Sequence, residues 1–97
     1  MPKALWIAHV EVTDPEAYGR YAALATEAIA AHGGVFLARA GRYRQMEGRE
    51  RARNVVARFP SLEAAVACYE SPAYQAALDH ARGAAERDLV IVEEAEG

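Results

Sequence analysis

The chain has 97 residues, 53% of them hydrophobic and 26% charged, with a formal net charge of -3 at pH 7, which is an ordinary globular mix and excludes a disordered or fibrous polypeptide. A domain this short buries only about 60–65% of its unfolded surface and gains from a partner. The charge pattern has no basic stripe for phosphate contacts, and no apolar run is long enough for a signal peptide or membrane helix, so neither nucleic acid nor a membrane is expected as a partner.

Ala4 to Val12 reads as a strand with two used faces, Leu5, Ile7, His9 and Glu11 on one and Trp6, Ala8, Val10 and Val12 on the other. Thr13 and Glu16 stand at capping-box spacing, and Pro15 falls in the first turn, where its missing N–H costs nothing, so a helix starts there. Along it Tyr18, Tyr21, Leu24, Ala25, Ala28, Ile29 and His32 recur at three- and four-residue spacing as one inward stripe, and Gly33-Gly34 ends it. Val35 to Ala40 is a second strand. Gly41 reads as a bulge or bend within it, because Tyr43 to Glu47 resumes an extended pattern, and Gly48 to Arg51 forms the hairpin loop. Arg53 to Phe59 returns as a third strand, Pro60 stops it, and Ser61 caps a helix whose stripe is Leu62, Ala65, Val66 and Tyr69. Ser71-Pro72 starts a second helical segment with Tyr74, Ala77, Leu78 and Ala81 inward, Gly83 ends it, and Asp88 to Glu93 is the last strand.

Strand, helix, strand, strand, helix, strand is the order of a ferredoxin-like split βαβ, here one α+β domain over residues 1–97 with an antiparallel sheet and helices on one face. Leu89 to Val92 is continuously apolar, and the first and third strands carry apolar groups on both faces, whereas a half-solvated sheet alternates. Too little chain remains to cover the second face. The expected cover is a second copy, giving a homodimer packed sheet on sheet with twofold symmetry.

Four ordered segments, Trp6 to Tyr18, Gly33 to Arg39, Phe59 to Ser61 and Ser71 to Gln75, together resemble the bacterial domain of unknown function 1330 family over nearly the whole chain. The resemblance implies a dimeric α+β barrel in which two ferredoxin-like sheets face each other, within a superfamily that includes cofactor-independent monooxygenases, lactone isomerases and haem-dependent dismutases. It carries over no activity, since a fold does not fix a function. Where the family's second Gly-Gly would stand, this chain has Ala40-Gly41.

His9 is the candidate catalytic residue, a titratable group in the middle of an apolar strand with Glu11 as a partner on the same face. The same position suits a hydrogen-bonded core or interface histidine. Arg39 and Arg53 lie in the second and third strands, where they would bind a carboxylate or enolate if the pairing brings them beside His9, or form an interface salt bridge with Glu11. Tyr18 and Tyr74, with Tyr21 and Tyr69, would line an aromatic pocket between helices and sheet or simply fill the core. Ser71 reads as a helix cap, and His32 and His80 as structural or solvated residues. Three widely spaced histidines with no HxxxH or CxxC leave no metal site, no Gly-rich phosphate loop is present, and no axial haem ligand can be nominated, so no cofactor is expected. Cys68 falls off its helix stripe, suggesting partial access, yet lacks a basic neighbour to activate it; a lone thiol fits a cytoplasmic location. The functional expectation is a small cofactor-independent enzyme acting on an organic molecule in a barrel cavity, with a non-catalytic ligand-binding or structural homodimer as the alternative.

Overall fold

Alternation along Ala4–Val12 sets the architecture: Ala4, Trp6, Ala8 and Val10 are buried, while Leu5 and Ile7 are half-buried and His9 and Glu11 exposed. The computed structural model describes residues 2–95, in the order β1 (Ala4–Val12), α1 (Pro15–Ala31), β2 (Val35–Arg39), β3 (Arg53–Phe59), α2 (Leu62–Glu70), α3 (Pro72–Ala81) and β4 (Ala85–Glu93). The antiparallel sheet has four strands in the order β2-β3-β1-β4, and the helices lie on its Trp6 face, giving the expected ferredoxin-like α+β fold. Within the single chain the sheet is open, with β2 and β4 as its edges.

Local chemistry explains the helix starts. Asp14, rather than Thr13, caps α1: its carboxylate accepts from the Ala17 N–H at 3.2 Å, and Pro15 occupies the first turn. Ser61 and Ser71 cap α2 and α3 as expected, accepting from Ala64 N at 3.0 Å and Tyr74 N at 3.2 Å. At the far end of α1 the Gly34 N–H bonds the Ile29 carbonyl at 2.8 Å, and a Cβ on Gly34 would stand 2.5 Å from Ile29 Cγ2 and 2.8 Å from Phe59 Cζ. Only glycine lets the chain turn this close to the core.

The core is aromatic at its centre. Trp6 stacks on Phe59 with centroids 5.5 Å apart and meets Tyr74 edge-on at 5.1 Å. Burying Phe59 alone contributes about 2 kcal/mol. Small residues, Ala25, Ala28, Ala65 and Ala77, let the helices approach this cluster closely.

Four expectations are corrected. The second strand ends at Arg39, and residues 40–52 form no strand: Ala40 adopts φ 56, a left-handed backbone that steers the chain out of the sheet, so Tyr43 to Glu47 find no pairing partner. The bulge lies at Leu37, where the register shifts between Phe36 and Ala38, and not at Gly41. Cys68 is fully buried, its Sγ directed at the Ala28 carbonyl 3.6 Å away, because α2 turns Ala65 and Cys68 into the core and leaves Leu62 and Val66 only half-buried. β4 also begins earlier than expected, at Ala85, which brings Arg87 into the sheet.

Candidate functional site

Cross-strand pairing builds the site. Val10 pairs with Arg53 of β3 on one side and Arg87 of β4 on the other, and directly opposed residues share a face. Val10 is buried beneath the helices, so Arg53 and Arg87 flank it on the helix side. Arg39 pairs with Val55 on the same face. Three guanidiniums thus rim the cleft between α1 and the sheet.

Each is held by aromatic or neutral polar groups. Arg39 lies 4.4 Å over the Phe36 ring and donates to Thr26 Oγ1; Arg53 lies 5.4 Å from the Tyr18 ring; Arg87 lies 4.7 Å over the Tyr21 ring. Among the described residues none of the three has a carboxylate within 4.0 Å, whereas Arg20, Arg49, Arg51, Arg58 and Arg82 are all ion-paired.

Arg87 anchors the deepest part. Its Nη2 donates to the Tyr21 hydroxyl at 2.8 Å and the Tyr74 hydroxyl at 3.1 Å, and those two hydroxyls are 2.6 Å apart. One phenol proton bridges the two oxygens, which leaves the second phenol proton without an acceptor inside the trio. Arg87 Nε is buried without a partner among the described residues. The trio therefore has more donors than acceptors.

Burial pushes both phenols above their ordinary range, that of Tyr21 most strongly. Burial also works against the Arg87 charge, but the adjacent Tyr21 and Tyr74 oxygens outweigh it and the guanidinium stays cationic. At neutral pH the tyrosines act as donors and not as bases.

Two hollows meet at Arg87. The inner one, between α1 and the sheet, has a volume of about 30 Å³ and is lined by Tyr18, Tyr21, Arg39, Arg53 and Arg87 over an apolar floor of Trp6 and Ala8. The outer one, about 370 Å³, lies at the β4 edge among Tyr69, Arg87, Leu89 and Ile91.

The residues singled out in the sequence divide between the two faces of the sheet. Tyr18, Arg39 and Arg53 line the inner cleft and Tyr74 joins the Arg87 trio. His9 and Glu11 lie on the opposite face, so the arginines do not come beside His9; register places Asn54 and Asp88 there instead. His9 Nδ1 donates to Asn54 Oδ1 at 2.7 Å, and Glu11 pairs with Arg49 at 3.6 Å. Arg51 bonds Asp88 and approaches the His9 carbonyl at 3.5 Å, drawing residues 49–51 over this polar end of the open face. Its other end, Leu5, Ile7, Val56, Val90 and Val92, is left as a bare apolar patch. Tyr21 lies at this site as one of the tyrosines read as lining an aromatic pocket, whereas Arg87 is the residue sequence reasoning missed, and nothing short of the pairing register signals it.

A family model for a domain of unknown function, DUF1330, matches residues 3–95. The chain belongs to this family. No curated protein matches it. Among solved structures, this DUF1330 chain is similar to a protein of unknown function from Rhodopseudomonas palustris, with a TM-score of 0.80 at 19% identity over 99% of this chain and 85% of that one. SnoaB, a cofactor-independent oxygenase from Streptomyces nogalater, shares the fold with a TM-score of 0.66 at 13% identity over 100% and 97% of the two chains. A dimeric ferredoxin-like protein of unknown function from Thermobifida fusca does so with a TM-score of 0.65 at 18% identity over 96% and 92%. At these identities the likeness shows the fold alone. Among the described residues no helix is long and apolar enough to cross a membrane, and no group of His, Cys, Asp and Glu stands close enough to hold a metal ion.

Proposed function

We propose that this DUF1330 chain binds a small organic anion, a carboxylate or enolate, at the Arg87, Tyr21 and Tyr74 trio, with Arg39, Arg53 and Tyr18 completing the rim. The observation that carries the reading is the donor excess: a half-buried guanidinium, its Nε buried and without a partner among the described residues, and a spare phenol proton meet at an apolar cleft. A desolvated donor left without an acceptor is costly, and an anion supplies both a countercharge and the missing acceptors. The chain works as one domain in a sheet-to-sheet homodimer, supported by the bare apolar patch on the open face and by the dimeric ferredoxin-like relative. His9 and Glu11 then belong to the polar end of that interface. A lone, buried thiol fits a cytoplasmic setting.

Turnover of the bound anion without a cofactor is the second reading. It is favoured by donors suited to stabilising an enolate and by the fold shared with SnoaB. Among the described residues no His, Asp or Glu lines the inner cleft, so such a reaction would start from a substrate that binds already ionised.

The test is a thermal-shift and titration series with benzoate against benzamide, on the wild type and Arg87→Leu. Benzoate should raise the melting temperature of the wild type and benzamide should not, since binding to the native state stabilises it by mass action. Arg87→Leu should still fold, since the Tyr21 and Tyr74 hydroxyls keep their own hydrogen bond, and should lose the benzoate response. Equal responses to the acid and the amide, or an undiminished benzoate response in Arg87→Leu, would sink the reading.

A further inference from the structure

We infer that the body of the ligand lies outside the α1 cleft, in the outer hollow at the β4 edge, and that the molecule is an amphipathic carboxylate whose anionic head on Arg87 carries an acyl or aryl chain. This rests on the anion-site reading above. Volume separates the two hollows. The inner cleft, at about 30 Å³, has room for about one water. The outer hollow, at about 370 Å³, falls in the range of about 300–1,000 Å³ usual for small-molecule sites.

Its walls match such a molecule. Leu89 and Ile91 pair with Ala8 and Trp6 and so face the helix side, while Tyr69 adds an aromatic wall; all three are only half-buried. Beyond β4 the sheet ends, so this apolar surface is open to the side. Arg87 is common to both hollows, which places one guanidinium between a cleft of hydrogen-bond donors and a hydrocarbon-lined trough. A carboxylate head seated there can reach the Tyr21 and Tyr74 hydroxyls, and its chain can run along Leu89 and Ile91. A second copy packed on the His9 face leaves the trough free, because the trough lies on the other side of the sheet.

The experiment uses methyl-labelled protein titrated with acetate, octanoate and octanamide. Octanoate should bind at least about tenfold more tightly than acetate, since each buried methylene adds to affinity, and octanamide should lose most of that binding with its charge. Nuclear Overhauser contacts should run from the octanoate chain to Leu89, Ile91 and Tyr69, and Leu89→Trp, which fills the trough, should abolish the preference for octanoate while acetate still binds. If Leu89→Trp does not fold, the wild-type contacts decide. Equal affinity for acetate and octanoate, or chain contacts to Ala22 and Ala25 of the inner cleft instead, overturns the trough while leaving the anion site standing. Absence of binding by every carboxylate overturns both.

Discussion

Tyr21 and Tyr74, 53 positions apart in sequence, meet hydroxyl to hydroxyl at 2.6 Å, and a single nitrogen of Arg87 donates to both. This contact ties α1 to α3 over the helix-side end of β4. It makes the candidate site part of what holds the helices together.

Tyr21→Phe and Tyr74→Phe should each destabilise the chain by about 1 kcal/mol, the usual net worth of a hydrogen bond, with some added penalty for the oxygen left behind. The double variant should cost less than the sum, because the second change removes a group the first has already orphaned. Urea unfolding of the four proteins measures the cycle. Additive losses would mean that the two hydroxyls do not act on each other.

Ile7→Asp places a charge in the centre of the bare patch, between Val56 and Val90. In the separated chain that patch faces water, so the fold should survive with an unchanged far-ultraviolet spectrum. In the dimer the charge would be buried and unpaired, which is strongly unfavourable. Sedimentation should therefore show twice the 10.5 kDa chain mass for the wild type and the single mass for the variant. A dimeric Ile7→Asp would show that the copies meet elsewhere.

Burial pushes the Cys68 thiol up to about 11, well away from the thiolate form at neutral pH. An aromatic disulfide reagent at pH 8 should react with native protein only as fast as the chain opens, and with one thiol at once in guanidinium. Rapid stoichiometric reaction of the native state would contradict the burial of Cys68 in the core.

The Arg51 guanidinium, by hydrogen bond and charge, holds the exposed Asp88 carboxyl below its ordinary range. A depressed carboxyl contributes above its unfolded value of about 4 and ceases to do so as the pH falls through the folded value. Because the Asp88 carboxylate is exposed and the pair ties down only the segment that carries Arg51, the loss should appear as loosening of residues 49–51 and not as global unfolding. Amide resonances of residues 40–52 should broaden or shift toward random-coil positions near pH 3, and Asp88→Asn should reproduce the change at pH 6. Loop resonances insensitive to both would remove this ion pair as the anchor.

Much of the fold was legible because it is written in local periods. The two-residue alternation of β1 separated Trp6, Ala8 and Val10 from Leu5, Ile7 and His9, and the helix stripes found Tyr18, Tyr21, Tyr74 and Ala77. The loop at 40–52 was misread since Tyr43 to Glu47 can extend, but extension becomes a strand only with a partner. The site was legible by residue type and not by membership. Arg53 and His9 are interchangeable suspects until register sets one beside Val10 and the other, one residue away along the sheet, on the reverse face. A last strand read from Asp88 leaves Arg87 just outside it, and only the pairing of β4 with β1 sets Arg87 beside Val10 at the cleft.

The row Asn54, His9, Asp88 and the row Arg53, Val10, Arg87 are neighbouring rungs of one ladder, facing opposite ways. The surface proposed to meet a second copy and the cleft proposed to take an anion are consequently two sides of the same backbone, one residue apart along three strands. Any change in sheet twist on association turns both flanking arginines together. Thermodynamic reciprocity then links the two: with one site on each protomer, a factor separating the anion affinities of monomer and dimer must reappear squared as the factor by which saturating anion changes the dimerisation constant.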